Sequence, residues 1–272
     1  MSLHYLPYKL QGNLSSPYLL IFLHGYPDTF ELWDKIILPF TSDFLCANIS
    51  YPNFSNLKCE VKWGYDFPTI TDALRRTLDK IDLTPNENNT MVLKEKILIA
   101  HDWGCFYSYC FDKKYPGYIK GMVALDVAPY ITPSFSIISY QLTLALAFLL
   151  GGTVGEFLNR RILKLFGYKS PWEKYVNTSM NYPYYYFWKN AFKSMLGMEK
   201  TLLYGYKPSF PVTYIYAKDK SVQFQNQKWM DWLEKNNGIC LGVTGGHWIM
   251  NNHADMVIEK IKERVNSLKA KL

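Results

Sequence analysis

The stretch Lys96-Ile97-Leu98-Ile99-Ala100-His101-Asp102-Trp103-Gly104 decides the fold of this chain. Its first half is apolar and rich in β-branched residues, and an amphipathic stretch follows Gly104, so it predicts a strand, a sharp turn and a helix. The small residues Ala100 and Gly104 leave room for a strained turn that exposes the side chain between them. That side chain is the carboxylate of Asp102. The simpler interpretation is an ordinary turn in which an aspartate caps a helix.

Apolar runs like the one before Asp102 recur along the chain and alternate with helical patterns. Segments 69–81 and 253 to about 269 have the apolar spacing of helices. Strands that alternate with helices predict a mostly parallel sheet, and runs that are apolar at nearly every position predict strands covered on both faces. The predicted strands are Tyr18 to Leu23, Phe44 to Ile49, Lys96 to Ala100, Met122 to Leu125 and Val212 to Tyr216.

The alternation stops between about Ala128 and Phe210, where helical and aromatic residues accumulate. We therefore predict an α/β fold in which a helical cap is inserted into one core. The predicted core comprises residues 1–130 and 207–272, and the predicted cap comprises residues 131–206. The substrate pocket is expected where the core and the cap meet.

Composition and charge exclude several functional classes. The 272 residues are 49% hydrophobic and 19% charged, which is a globular composition. The net charge of +7 is scattered rather than gathered in a basic stripe, so no nucleic-acid partner is expected. The longest apolar run, Leu142 to Leu150, is too short for a membrane span, and the first residues do not form a secretion leader. We therefore expect a cytoplasmic protein.

No cofactor or metal ion is expected from the motifs. The five cysteines lack Cys-x-x-Cys spacing, and the five histidines lack the spacing of metal ligands. The sequence also lacks a glycine-rich loop of the kind that cradles phosphates. Any chemistry is therefore expected to come from side chains and water.

Two further motifs lie on either side of the strained turn at Asp102, which we call the elbow. His24-Gly25-Tyr26-Pro27 directly follows the first predicted strand, and Gly245-Gly246-His247-Trp248 precedes the final helix. With the elbow, they resemble the epoxide hydrolases and haloalkane dehalogenases of the α/β-hydrolase superfamily over nearly the whole chain. Because an aspartate stands where serine hydrolases have serine, the resemblance points to the branch with a carboxylate nucleophile.

The resemblance implies catalysis in two covalent steps. Asp102 would attack an electrophilic carbon to form an alkyl ester, and His247 would activate the water that hydrolyses the ester. The backbone N–H groups of Tyr26 and Trp103 would form the oxyanion hole of the second step. Trp248 and His24 are predicted to border the substrate pocket.

The sequence leaves open which carboxylate orients His247. Asp219 follows the strand that ends at Tyr216, although it stands one residue earlier than the family pattern places its acid. Asp126 ends the strand Met122 to Leu125, a position that one dehalogenase subfamily uses. Both residues therefore stay candidates for the third member of a catalytic triad.

An epoxide hydrolase also needs hydroxyl donors for the leaving oxygen, and relatives supply them from two cap tyrosines. Tyr140 matches the first of these. At the second position the aligned residue is Trp188, and Tyr184 or Tyr185, one helical turn earlier, could substitute. Tyr185 is the predicted second donor. Other predicted pocket residues are Tyr140, Phe148, Trp172 and Trp188.

Epoxide opening is the first-ranked function, on small hydrophobic epoxides with water as the second substrate. The aromatic residue in Tyr26-Pro27 is typical of epoxide hydrolases, whereas dehalogenases commonly have asparagine there. Haloalkane or haloacid dehalogenation with the same nucleophile ranks second. A third possibility is a catalytically inactive member that serves as a binding protein, since fold alone does not fix function.

Overall fold

The apolar runs pair into one seven-stranded sheet in the computed structural model, which describes residues 3–54, 61–165, 176–220 and 222–270. The order is β1-β3-β2-β4-β5-β6-β7, and every neighbouring pair is parallel except β1 with β3. The prediction of a mostly parallel sheet is confirmed. The strands are β1 Tyr8–Gly12, β2 Tyr18–Leu23, β3 Leu45–Ile49, β4 Glu95–His101, β5 Gly121–Leu125, β6 Val212–Ala217 and β7 Ile239–Val243.

The sequence did not predict the two edge strands, β1 and β7. Neither contains a fully buried residue, because each pairs with only one neighbour and lies partly in solvent. An edge strand needs fewer apolar residues than a central one, so the apolar-run pattern that found β2 to β6 is absent here.

Helices connect the strands, and the predicted helical pattern at 69–81 falls within one of them, while the pattern at 253–269 begins one residue before another. Helix α2 begins after Asp66, whose Oδ1 accepts a hydrogen bond of 3.0 Å from the backbone N–H of Thr69. The α-helices are α1 Asp34–Ile37, α2 Phe67–Asp82, α3 Trp103–Lys114, α4 Phe135–Leu150, α5 Gly152–Leu165, α6 Tyr182–Met195, α7 Gln227–Lys235, α8 Ile249–Asn252 and α9 Ala254–Lys269. Short 3-10 helices cover Phe30–Trp33, Leu38–Phe40 and Thr178–Asn181.

Both faces of the sheet are covered, as the continuous apolar runs predict. In β2, Leu19, Ile21 and Leu23 belong to a core shared with α2 and α3, while Leu20 and Phe22 belong to a core shared with α1 and α9. Alternate residues of a strand point to opposite faces, so each of these residues is buried. The sheet is therefore the rigid middle layer from which the loops of the site extend.

Helices α4, α5 and α6 lie between β5 and β6, and we call the described residues 126–165 and 176–211 the helical insertion. Those ranges contain no strand. Helix α4 packs against both α5 and α6. The cap boundaries at residues 131 and 206 stay a prediction. None of the helices in the described ranges has the length and apolarity needed to cross a membrane.

Candidate active site

The turn between β4 and α3 has a backbone conformation that few side chains adopt. Asp102 occupies it with φ 51° and ψ −123°. A non-glycine residue in such a conformation costs about 1–3 kcal/mol, and such strain concentrates at functional sites. Within the described chain, the Asp102 side chain forms no capping hydrogen bond to α3. Its carboxylate is instead turned toward the loop after β2.

Two glycines make the turn sterically possible. A Cβ atom at Gly25 would lie 2.4 Å from Oδ2 of Asp102 and 2.6 Å from the backbone nitrogen of Trp103. A Cβ atom at Gly104 would lie 2.3 Å from the backbone oxygen of Leu23. Both distances are far inside van der Waals contact, so the loop after β2 and the start of α3 can approach only through glycine.

The Asp102 carboxylate lies between backbone donors and an imidazole. The N–H of Tyr26 donates to Oδ2 at 2.7 Å, and the N–H of Trp103 is a second backbone donor to this side chain. The other oxygen, Oδ1, is 3.7 Å from Nε2 of His247. Burial raises the pKa of Asp102, while the His247 ring and the two backbone donors oppose that rise. Only 13% of its side-chain surface is exposed, and this remainder opens into a cavity.

Of the two carboxylates that the sequence left open, the structure brings Asp126 to His247. Its Oδ2 lies 2.5 Å from Nδ1 of His247, and its Oδ1 accepts a hydrogen bond of 2.9 Å from the N–H of Ala217. Asp126 is fully buried at the end of β5. Asp219 is exposed, and its Oδ2 accepts a hydrogen bond of 3.0 Å from the N–H of Gly245.

A cavity of about 340 Å³ lies between the sheet edge and the helical insertion. Its polar groups are Asp102, His247, Gln141, Asp219 and Lys220, and most other lining residues are aromatic or aliphatic. The apolar part of the wall includes Tyr26, Trp103, Phe106, Val127, Ile131, Tyr140, Leu163, Tyr184, Phe187, Val222, Phe224 and Trp248. Such a cavity suits a small apolar ligand with few polar groups.

Two tyrosines from the helical insertion meet in this cavity. The hydroxyl oxygens of Tyr140 and Tyr184 lie 3.3 Å apart. The Tyr184 ring packs edge-to-face against Trp103, with the ring centroids 5.0 Å apart. Burial raises the pKa of Tyr184 well above its ordinary value, so this phenol stays protonated and can donate a hydrogen bond.

The predicted donor Tyr185 lies away from the cavity, and its neighbour Tyr184 lines the cavity instead. One residue along a helix turns the side chain by about 100°, so neighbours on α6 face different sides. Tyr185 packs between Trp63 and Phe148, at 6.1 and 5.5 Å between ring centroids. Phe148 does not line the cavity either.

Two other pocket predictions are also wrong, and one lies outside the described residues. Trp188 packs on Phe187 and does not reach the cavity. His24 is buried behind the loop that carries Tyr26. Its Nε2 accepts a hydrogen bond of 2.8 Å from the Ser50 hydroxyl, and its Nδ1–H donates a hydrogen bond to the Gly25 carbonyl oxygen. Burial lowers the pKa of His24 to about 4, so this ring is neutral. Trp172 is not among the described residues.

Asp28, which no sequence motif indicated, is a buried carboxyl group behind His247. Its Oδ2 accepts a hydrogen bond of 2.9 Å from the indole N–H of Trp248 and lies 3.8 Å from Nδ1 of His101. The Nε2–H of His101 donates to the carbonyl oxygen of His247. Burial raises the pKa of Asp28 to about 7, the Trp248 bond and His247 oppose this rise, and Asp102 adds to it. Asp28 directly follows the Tyr26-Pro27 motif, but its burial has no sequence signal.

Lys220 and Phe224 were also missed. Lys220 extends its ammonium group to Oδ2 of Asp126 at 2.5 Å, and Phe224 packs its ring 5.2 Å from that of His247. Both follow β6, where sequence analysis considered only Asp219. In the ranges that the structure describes, no three His, Cys, Asp or Glu side chains are grouped closely enough to hold a metal ion.

Comparisons with known proteins support the fold. No protein-family model matches the chain. Epoxide hydrolase 1 of Caenorhabditis elegans is 24% identical over 124 residues, which are 45% of this chain and 28% of that protein. Epoxide hydrolase 3 of Mus musculus is 27% identical over 128 residues, 46% and 31% of the two chains. This chain thus matches less than a third of the length of either relative.

Solved structures match nearly the whole chain. A mutant epoxide hydrolase from Bacillus megaterium, complexed with its product, has a TM-score of 0.65 at 18% identity and covers 96% of both chains. A loop variant of haloalkane dehalogenase from Bradyrhizobium elkanii has a TM-score of 0.66 at 14% identity, covering 97% and 93%. A marine microorganism esterase has a TM-score of 0.64 at 15% identity, covering 95% and 98%.

The chain therefore has the α/β-hydrolase fold, as the elbow and its flanking motifs predict. Its structural neighbours are epoxide hydrolases, haloalkane dehalogenases and an esterase. Because one fold carries all three activities, the reaction has to be inferred from the side chains in the site.

The raised pKa of Asp28 predicts a pH-dependent gain in stability on substitution. The folded pKa of about 7 exceeds the ordinary value of 3.8, so the folded state keeps a proton that the unfolded state loses. The free energy of unfolding therefore falls as the pH rises from about 4 to 7. Asp28→Asn, which removes this penalty, should raise the free energy of unfolding by roughly 2–4 kcal/mol at pH 8, and by less at pH 5.

Urea denaturation at the two pH values measures this difference. The matched control is Asp43→Asn, which changes an exposed aspartate and should give the same small effect at both pH values. An equal effect of Asp28→Asn at pH 5 and pH 8 would show that Asp28 does not hold a proton in the folded protein.

Proposed function

We propose that this protein is a hydrolase that opens small hydrophobic epoxides to diols through a covalent ester on Asp102. The strongest support is the series Asp102, His247 and Asp126, in which each side chain is aimed at the next: Asp102 and His247 line the cavity, and Asp126 is buried behind His247. Two tyrosine hydroxyls line the same cavity. A nucleophile, a base, an orienting acid and hydroxyl donors are the groups that two-step epoxide hydrolysis needs.

In the first step, Oδ1 of Asp102 attacks an epoxide carbon. The Tyr26 N–H is bonded to Oδ2 and leaves Oδ1 available. A carbon–oxygen bond forms while the strained ring bond breaks, and the departing oxygen takes a proton from Tyr140 or Tyr184. The hydroxyl pair, 3.3 Å apart, can share the resulting charge.

In the second step, His247 activates water. Its Nδ1–H is bonded to Asp126, so the lone pair of Nε2 is directed toward the ester. At 3.7 Å from Oδ1, Nε2 is too far for a good direct hydrogen bond, so it is available to take a proton from water. The hydroxide attacks Cγ of Asp102, and the negative charge that develops on Oδ2 is stabilised by the N–H groups of Tyr26 and Trp103.

Collapse of the tetrahedral intermediate completes the cycle. The ester bond to Oδ1 breaks and the diol leaves with one proton. The second proton of the water restores the tyrosine hydroxyl, and Asp102 is again a carboxylate. The balance is one epoxide and one water consumed for one diol. Asp126 stays ionised throughout and stabilises the imidazolium that forms in between.

The cavity supports a small hydrophobic substrate. Its volume of about 340 Å³ and its mainly aromatic and aliphatic wall fit an apolar epoxide. The side-chain amide of Gln141, buried in the same wall, is a polar group that could select among substituents.

Dehalogenation is the second candidate, and one observation favours it. In the part of the chain that the structure describes, the indole Nε1 of Trp103 has no hydrogen-bond partner, although it is buried next to the nucleophile. A leaving halide could accept that hydrogen bond. The tyrosine pair would have no function in this reaction, and we therefore rank it below epoxide opening.

The covalent step predicts that an intermediate can be trapped. In His247→Gln, the ester should form and persist, because the base that activates water is lost. Intact-protein mass spectrometry should show a gain equal to the whole epoxide, and Asp102→Ala should show none. His4→Gln, which changes a histidine outside the cavity, should turn over normally.

The same experiment separates the alternatives. A bromoalkane would add its alkyl group with loss of hydrogen bromide, and an adduct from this reagent alone would favour dehalogenation. Absence of any adduct together with absence of turnover would favour the inactive binding protein. Turnover that survives in Asp102→Ala would contradict the proposed nucleophile.

The cap tyrosines provide a matched pair of variants. Tyr184→Phe should lower kcat/KM for epoxides about 10²-fold or more, because the leaving oxygen loses an acidic donor. Tyr185→Phe, one residue further along α6 and outside the cavity, should have little effect. Equal activities of the two variants, measured by diol release, would count against a donor role for Tyr184.

Asp126 and Asp219, between which the sequence did not decide, provide another matched pair of variants. Asp126→Asn should lower kcat about 10³-fold, because an amide does not hold His247 in the required tautomer or stabilise its cation. Asp219→Asn should retain most activity. Far-UV circular dichroism would verify that each variant is folded, and a larger loss in Asp219→Asn than in Asp126→Asn would overturn the assignment.

A further inference from the structure

Lys220 and His247 contact the same carboxylate oxygen of Asp126. The Nζ atom of Lys220 and Nδ1 of His247 both lie 2.5 Å from Oδ2 of Asp126. Only 8% of the Lys220 side chain is exposed, and its ammonium group also lies 4.5 Å from the centroid of the Phe224 ring. Burial of an unpaired cation costs desolvation free energy, and the ion pair with Asp126 offsets that cost for Lys220.

The geometry points to Lys220 as a positioning residue that fixes the Asp126 carboxylate and offsets its charge, so that His247 remains an unprotonated base in more acidic solution. This inference rests on the proposed function, since it gives His247 the role of base. It adds a residue that acts on the reaction only through Asp126. Lys220 needs no contact with the substrate for this role.

The positioning follows from the number of donors to Asp126. Ala217 N–H donates to Oδ1, and both Lys220 and His247 donate to Oδ2. Lys220 and Ala217 both come from β6 or the residues just after it, whereas Asp126 follows β5. The parallel pairing of β5 with β6 therefore sets the direction from which the lysine meets the carboxylate.

The electrostatic effect follows from the other charges around His247. Asp102 lies 3.7 Å from its Nε2, and Asp28 nearby adds a third negative charge once the pH exceeds its pKa of about 7. His101, whose ring centroid is 4.3 Å away, is neutral because burial lowers its pKa well below the ordinary value. Carboxylates favour the protonated imidazole, which is not a base. Among the described residues that line the cavity, Lys220 is the one lysine or arginine that opposes them.

Removal of the cation should therefore make His247 easier to protonate. A like charge nearby disfavours the charged form of a titrating group, and the Lys220 ammonium has the same sign as protonated His247, with which it shares the Asp126 carboxylate. We expect Lys220→Met to move the midpoint of the His247 titration upward by about 1 pH unit. Lys220→Arg keeps the charge and should restore the wild-type midpoint.

Nuclear magnetic resonance of histidine-labelled protein measures this midpoint without any substrate. The His247 signal is assigned by its loss in His247→Gln. Lys218→Met, which removes an exposed lysine two residues away, is the matched control and should leave the midpoint unchanged. Lys220→Gln is a second uncharged variant if Lys220→Met does not fold. A residue with only a structural role would lower Tm but leave the midpoint in place.

The pH profile of kcat/KM provides the kinetic test. Its acid limb should move to higher pH in Lys220→Met by the same amount as the resonance, and return in Lys220→Arg. An unchanged midpoint in the uncharged variants, or a shift in Lys220→Arg as large as in Lys220→Met, would overturn the inference. A shifted midpoint in a protein that opens no epoxide would uphold the role of Lys220 and refute the proposed function instead.

A direct role in substrate binding would give a different result. If Lys220 paired with a carboxylate on the substrate, Lys220→Met would raise KM for epoxides that carry a carboxylate and spare neutral ones. That pattern with an unmoved acid limb would also overturn the inference. The bond from Lys220 to Asp126 argues against such pairing, because the ammonium charge is already balanced there.

Discussion

The hydrogen bond from the backbone N–H of Tyr26 to Oδ2 of Asp102 is the contact on which the site depends. It forms because the loop after β2 and the start of α3 approach closely through Gly25 and Gly104, where no Cβ atom would fit. The same contact turns the carboxylate away from a helix-capping role, at the cost of a left-handed backbone at Asp102. One oxygen is thereby held and the other is directed at His247.

The rest of the site is assembled by the order of strands in the sheet. Asp102, Asp126 and Lys220 follow β4, β5 and β6, which are adjacent and parallel, so all three side chains lie along one edge. His247 arrives separately, from the loop after β7, and Asp126 fixes its ring. The helical insertion then supplies the tyrosine pair and about half of the apolar wall. Charged groups from the core and hydroxyl groups from the insertion thus converge on one cavity.

Burial couples the protonation states of the charged groups in the site. Asp28, Asp102, Asp126 and His101 surround His247, and burial keeps His101 neutral and raises the pKa of Asp28 and Asp102. Lys220 is paired with Asp126, whose Oδ2 also contacts Nδ1 of His247. The charge state of each group therefore depends on its neighbours, and a single substitution is expected to change the protonation of more than one of them.

The sequence by itself determined the local features: the central strands, the elbow at Asp102, the loop at Tyr26 and the position of His247 before the last helix. These follow from runs of neighbouring residues, for which local patterns suffice. Tertiary structure decided the rest. Strand register decides that Asp126 rather than Asp219 contacts His247, and helix rotation decides that Tyr184 rather than Tyr185 lines the cavity. These contacts, and that of Lys220 with Asp126, are made by residues distant in the chain.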